Sequence, residues 1–183
     1  KINYLDKEKA LAYIETNAGS GTGFMITHTG LCFTCYHVIH KATEIFVRID
    51  DNETRIVYKA TVVYGNEEED FAILQLDDCI DNYFFEIETG FSALKTGDDV
   101  AIYGFPFGSS LNEDVMELEP SLTKGYIASK NKIAGHNCYY LDIRSAPGNS
   151  GSPVFSLKTN KCIGYLCGSY GSDRANMIYI RTM

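Results

Sequence analysis

The feature that most narrows the fold is a repeated one: short runs rich in β-branched and aromatic residues, each closed by a cluster of glycine, asparagine or aspartate. Runs at Gly23–Ile26, Leu31–Ile39, Glu44–Ile49, Ile56–Val63, Phe71–Leu76, Asp99–Tyr103, Gly125–Ser129, Tyr139–Ile143, Pro153–Ser156, Cys162–Leu166 and Met177–Ile180 predict strands. Nothing between them is long and periodic enough to be a crossover helix, so a parallel α/β sheet is excluded in favour of an antiparallel all-β fold. The one predicted helix runs from Leu5 to Ile14, where Leu5, Leu11 and Ile14 fall at helical spacing. There is no internal repeat. The acidic stretch from Asp77 to Asp98 lies near the middle and divides the strands into two sets of about six.

A chain of 183 residues holds one domain, here expected as a single unit with two lobes. With 45% hydrophobic residues, 13 tyrosines and 10 phenylalanines, it has the composition of a packed protein rather than a disordered one. A net charge of −8 argues against nucleic acid or an anionic membrane as partner, since both recruit lysine and arginine. No apolar run approaches the ~18 residues of a membrane span, and no charged-then-apolar leader is seen. Further domains are expected in a longer chain.

Cys32 and Cys35 have the C-x-x-C spacing of a metal or redox pair, but they lie in an apolar run and no second pair follows. The six cysteines therefore read as thiols packed like small hydrophobes in a reducing, cytoplasmic setting, and no cofactor or metal is expected.

Three segments carry chemistry. In Ala146–Val154, small residues flank Ser150, so the chain can turn tightly, leave the hydroxyl accessible and aim the amides of the Gly148-Asn149-Ser150 turn at one point. In Phe33–Ile39, His37 stands at the end of an apolar run, whereas His28, His40 and His136 lie beside turn or polar residues. In Asp70–Leu76, a carboxylate abuts a strand that would carry it inward, while Glu67, Glu68 and Glu69 read as a solvated loop. A hydroxyl nucleophile needs a base, a group that orients the base, and donors for the developing oxyanion, and each has a candidate here.

Four blocks in order, Gly21-Thr22-Gly23-Phe24, Thr34-Cys35-Tyr36-His37-Val38, Asp70-Phe71-Ala72-Ile73-Leu74 and Gly148-Asn149-Ser150-Gly151-Ser152, resemble the signature of trypsin-like peptidases. They are most similar to the HtrA-like bacterial branch, whose blocks read G-S-G-F, T-N-A-H-V, D-x-A-[VL]-L and G-N-S-G-G. The resemblance runs from Gly21 to about Ile180. It implies two six-stranded antiparallel β-barrels with a short N-terminal helix: an N-terminal barrel over about 18–80, a linker over 81–97 and a C-terminal barrel over 98–183. It also implies a serine endopeptidase acting on protein or peptide through an acyl-enzyme, with His37, Asp70 and Ser150 as catalytic triad and Gly148, Asn149 and Ser150 as oxyanion hole. The alternative is a silent or latent barrel of this kind that binds peptides without cutting them.

Departures from the family pattern sharpen the expectation. Ser152 replaces the second glycine after the nucleophile, which is tolerable unless a positive φ is required there. Asn149 replaces the aspartate that pairs with a new N-terminus in trypsin-type zymogens, so activation by that route is not expected. By ungapped alignment Arg144 stands at the floor of the primary pocket, with Ser145, Cys167, Gly168 and Ser169 around it. The resemblance then implies a preference for an acidic side chain before the scissile bond, the plainer reading being that Arg144 turns away to pair with Asp142 or another acidic group. The stretch Gly164–Ser169 matches the strand that pairs with substrate backbone.

Overall fold

The computed structural model describes residues 2–51, 54–106, 118–133, 135–144, 148–169 and 177–182. The chain starts with a one-and-a-half-turn helix, α1 (Tyr4–Lys9), which Asn3 caps by accepting the Asp6 amide through its side chain. β1 (Leu11–Thr16), β2 (Gly19–Met25), β3 (Leu31–Thr34), a single helical turn α2 (Tyr36–Ile39), β4 (Ile45–Asp51), β5 (Thr54–Asn66) and β6 (Phe71–Leu76) follow. They close antiparallel in the order β1-β2-β3-β6-β5-β4. The second sheet is built from β7 (Asp99–Gly104), β8 (Ser121–Ile133), β9 (His136–Asp142), β10 (Pro153–Ser156), β11 (Cys162–Ser169) and β12 (Met177–Thr182). It curls round until the short β10 pairs with both β11 and β7, in the order β10-β11-β12-β9-β8-β7. This is the expected double barrel.

Two local expectations are corrected. Leu11–Ile14 is strand, not the end of a helix, so the first barrel begins at Leu11. Ala10 through Ile14 are all at most 2% exposed. A strand buried on both faces has no alternation to reveal it, and three apolar residues at helical spacing mimic a helix. The predicted strand Leu31–Ile39 stops at Thr34, and His37 lies in the turn α2, not at a strand end. Buried Val38 and Ile39 anchor that turn and leave His37 on its outer face.

Alternation is clear where only one face is covered. In β6, Ala72, Leu74 and Leu76 point into the barrel while Phe71, Ile73 and Gln75 lie half-buried on the other side. The core of the first barrel is continuous with the space between the barrels, because Tyr103, Phe105, Phe155 and Tyr165 of the second barrel join its cluster. Burying each large aromatic of this kind contributes about 1.5–3 kcal/mol. A smaller cluster around Ile102, Tyr139, Leu141 and Val154 fills the second barrel. The connection from Asp77 to Asp98 is stitched to the body by buried Cys79, Phe85 and Leu94 and by a bridge between Ile87 and Cys162.

Candidate active site

The second strand of the first barrel organises the site. At Gly21 a methyl group would stand 2.7 Å from Val38 and 3.4 Å from the Ser150 carbonyl, so α2 and the Ser150 turn approach the strand where it has no side chain. The next residue, Thr22, binds that turn directly. Its amide donates to the Ser150 carbonyl at 3.0 Å, and its hydroxyl donates to the Gly148 carbonyl at 2.9 Å while accepting the Phe105 amide at 3.0 Å. Its own carbonyl accepts the Thr34 hydroxyl at 2.9 Å. Thr22 thus ties the serine turn to both barrels. In the sequence it stood out only as part of a glycine-rich block.

The turn demands its glycines. Gly148 and Gly151 have φ of 94° and 87°, in the region L side chains avoid, and a methyl group at Gly151 would lie 2.1 Å from the Thr22 carbonyl. Ser152 is not among the residues of positive φ, which explains why serine can replace glycine there. Gly151 donates to the Leu166 carbonyl at 2.9 Å, and the Leu166 amide returns a bond to Ser152 at 3.0 Å, joining the turn to β11. Among the described residues no acceptor faces the amides of Gly148, Asn149 and Ser150. Asn149 is buried, and its Oδ1 and the Ser152 hydroxyl both crowd Gly104 without a hydrogen-bond partner among the described residues.

His37 and Asp70 meet as a pair. The Asp70 carboxylate accepts the His37 amide at 2.9 Å through one oxygen, and its other oxygen lies 2.7 Å from His37 Nδ1. The hydrogen bond that the ring donates to Asp70 raises the His37 pKa above its ordinary value, partly opposed by desolvation and aided by the carboxylate charge. The His37 side chain is 48% exposed and the aspartate side chain 23%. Asp70 holds this place with a left-handed backbone, φ 53°. The Ser150 turn and α2 both approach β2 at Gly21 and Thr22, but among the described hydrogen bonds none joins the Ser150 hydroxyl to the imidazole.

Sγ of Cys35, a ring nitrogen of His37 and a carboxylate oxygen of Asp70 lie within 4.8 Å of one another. Such donors can bind zinc, but here both carboxylate oxygens are engaged by His37 and the thiol lies 3.2 Å from the Leu166 carbonyl. Cys32 is not part of the group, so the C-x-x-C pair does not converge on one point.

The pocket residues are placed unevenly. Arg144 is exposed just past β9, and among the described residues it has no ion pair; Asp142 instead accepts the Tyr126 hydroxyl at 2.7 Å. Ser145 lies outside the described residues. Cys167 is half-buried against the first-barrel core, and Gly168 and Ser169 continue β11 in register with Tyr179 and Ile178 of β12. Two residues read as unremarkable prove to be engaged: Glu69 is not merely solvated, since its carboxylate pairs with His136 at 3.0 Å.

A model of the trypsin-like peptidase domain matches residues 21–164, the stretch that contains all of these groups except Cys167 to Ser169. The chain belongs to the trypsin-like peptidase family. Among curated proteins this trypsin-like chain is 32% identical over 152 residues to a probable periplasmic serine endoprotease, DegP-like, from Halomonas elongata, a match covering 81% of the chain and 29% of that relative. A protein of the same description from Pseudomonas putida is 32% identical over 143 residues, covering 75% of the chain and 27% of the relative. These relatives support the HtrA-like resemblance, and the chain spans less than a third of their length. Among solved structures, a protease from M. tuberculosis in its active form aligns with a TM-score of 0.80 at 22% identity, over 96% of this chain and 77% of that one. The serine endoprotease from Yersinia pestis aligns at 0.80 and 19% identity, over 100% and 63%. At that identity the two speak for the fold.

The relatives' names overturn the expected cytoplasmic location, since they are called periplasmic. All six cysteines stand as thiols and five are buried, as their apolar setting predicts. Desolvation raises the Cys32 thiol far above its usual pKa and pushes Cys162 up to about 12. A thiol kept protonated and enclosed resists oxidation. Such cysteines do not report the redox state of their compartment.

Proposed function

We propose that this chain is the peptidase unit of a serine endopeptidase that works in the periplasm, as its relatives are named, and cleaves protein or peptide through an acyl-enzyme. The observation that carries the proposal is the doubly hydrogen-bonded His37–Asp70 pair, with His37 on α2, a turn that approaches β2 at Gly21 beside the Gly148–Gly151 turn held by Thr22.

In this reading Ser150 Oγ attacks the scissile carbonyl carbon and gives its proton to His37 Nε2. Asp70 keeps the imidazole proton on Nδ1 beforehand and stabilises the imidazolium afterwards. The carbonyl oxygen, now an oxyanion, accepts the amides of Gly148 and Ser150, donors of a kind worth about 10²–10³ in rate each. As the tetrahedral intermediate collapses, the C–N bond breaks and His37 passes the proton to the leaving amine. Water, deprotonated by the same imidazole, then hydrolyses the Ser150 ester. The hydroxyl and imidazole need not be bonded before substrate arrives, since such contacts commonly tighten in the complex.

Two finer points belong to the proposal. The exposed guanidinium of Arg144, with no described ion pair, supports a preference for Glu or Asp before the cut. Beyond Tyr165, the last residue of β11 to face Pro153 of β10, the strand continues to Ser169, and its edge there suits an extended substrate backbone. A fluorophosphonate probe is expected to label the wild type and not Ser150→Ala. Labelling that survives the change would overturn the assignment, and a folded wild type that never reacts would favour the peptide-binding alternative.

A further inference from the structure

Asp70 holds a left-handed backbone, φ 53°, which aspartate adopts more readily than most residues but which leaves its side-chain direction dependent on how the flanking chain is held. Part of that hold comes from the opposite barrel. On the N-terminal side, the Glu69 carbonyl accepts the Tyr165 hydroxyl from β11 at 2.5 Å. The Glu69 carboxylate meets Nδ1 of His136, the first residue of β9, at 3.0 Å. On the C-terminal side, Phe71 stacks on Phe33 with ring centres 5.3 Å apart and meets the edge of the Tyr165 ring at 6.4 Å. Tyr165 therefore touches both chain neighbours of Asp70, and His136 adds a second tie on one side. The first barrel holds the same segment too, by a 3.3 Å bond from the Asp70 amide to Glu67, by Asn66 accepting the Glu69 amide, and by the pairing of Phe71 with Asn66.

We infer that His136 and Tyr165 are positioning residues of the second barrel: they clamp Glu69 so that Asp70 presents one oxygen to the His37 amide and the other to Nδ1. The inference rests on the reading of His37 and Asp70 as a catalytic pair. Neither positioning residue touches substrate or the reacting atoms. The clamp makes the orientation of the base depend on how the two barrels are packed. A shift of β9 or β11 is felt at His37 through Glu69 and Asp70, although His37 and Asp70 both belong to the first barrel.

The test follows the His37 imidazole by NMR titration alongside kcat and KM, in the wild type, His136→Ala, His136→Asn and Tyr165→Phe. Asparagine carries an N–H donor close to where Nδ1 stands, and phenylalanine keeps the ring packing while removing only the hydroxyl. His136→Ala is expected to lower the His37 titration midpoint toward the ordinary histidine value and to reduce kcat roughly tenfold or more, with KM within about twofold, because misplaced catalytic groups lose rate rather than binding. His136→Asn is expected to recover most of both, and Tyr165→Phe to act in the same direction as His136→Ala. A folded His136→Ala protein with wild-type titration and kcat would overturn the inference. So would loss of kcat in His136→Ala with no movement of the His37 midpoint. Should that variant not fold, Tyr165→Phe decides by the same two readings. A wild type that hydrolyses nothing, yet whose His37 midpoint still falls in His136→Ala, would sink the catalytic reading and leave the clamp standing.

Discussion

Asp70→Asn isolates the contribution of the acid, because asparagine tolerates the left-handed φ of 53° and adds no backbone strain. The native carboxylate accepts two donors from His37, the amide at 2.9 Å and Nδ1 at 2.7 Å. An asparagine has one oxygen for those two donors and must turn its NH₂ toward the other. If the NH₂ faces the ring, Nδ1 has to accept, and the imidazole proton moves to Nε2, where the base must be empty. The substitution also removes the charge that stabilises the imidazolium. Together these predict a fall in kcat of about 10³–10⁴, or roughly 4–5.5 kcal/mol of transition-state stabilisation.

The pH profile carries a second signature of the same change. Because Asp70 raises the His37 pKa, the acid limb of kcat/KM in the wild type is expected above the usual histidine value near 6.5, and in Asp70→Asn below the wild-type position. For stability the sign is that of a group whose folded pKa is raised. The charged pair contributes fully below the unfolded pKa, and its contribution fades as pH rises through the folded value. The melting temperature of Asp70→Asn should therefore lag the wild type more at pH 5 than at pH 9. Steady-state kinetics across pH, with thermal melts in the same buffers, make the comparison. A variant within tenfold of wild-type kcat, with its acid limb unmoved, would refute the reasoning.

Three further outcomes are expected. Thr22→Val keeps the β-branched shape but leaves the Gly148 carbonyl and the Phe105 amide without the hydroxyl they share; at about 1–3 kcal/mol for each buried group stranded, it should lower the melting temperature and slow reaction of Ser150 with a fluorophosphonate. Arg144→Ala should reduce any advantage of Glu over Leu before the cut by roughly 10–100-fold, the worth of a charged hydrogen bond, as read from a peptide library; an apolar preference in the wild type would remove Arg144 from the pocket. Alkylation of the native protein near pH 8, followed by peptide mass spectrometry, should modify Cys167 first, since the other five thiols are buried.

The four signature blocks were legible because each is a local solution to a local demand: glycine where the backbone must reverse or approach closely, an acid beside a strand, a histidine next to buried Val38 and Ile39. An apolar run closed by turn residues likewise marked β6, although its alternating burial is not visible in Phe-Ala-Ile-Leu-Gln-Leu. Periodicity misled for β1, nearly all buried, and the turn carrying His37 is too short to show a period. The clamp on Asp70 was invisible for another reason. Tyr165 and Glu69 stand 96 positions apart on different barrels, and nothing in the sequence singles out Glu69 from Glu67 and Glu68. His136 was passed over because its neighbours in sequence are polar; its partner is a neighbour only in space. The cysteines misled about compartment because a buried, protonated thiol persists in either redox setting.

The central claim is that Ser150 is acylated with His37 as its base, and the most direct measurement is the pre-steady-state burst with an activated ester substrate. The wild type is expected to release about one equivalent of leaving group before the steady state, with the acyl group mapped by mass spectrometry to Ser150. Ser150→Ala should show no burst. A burst of the same size in Ser150→Ala, or an acyl group mapped to another side chain, would contradict the account.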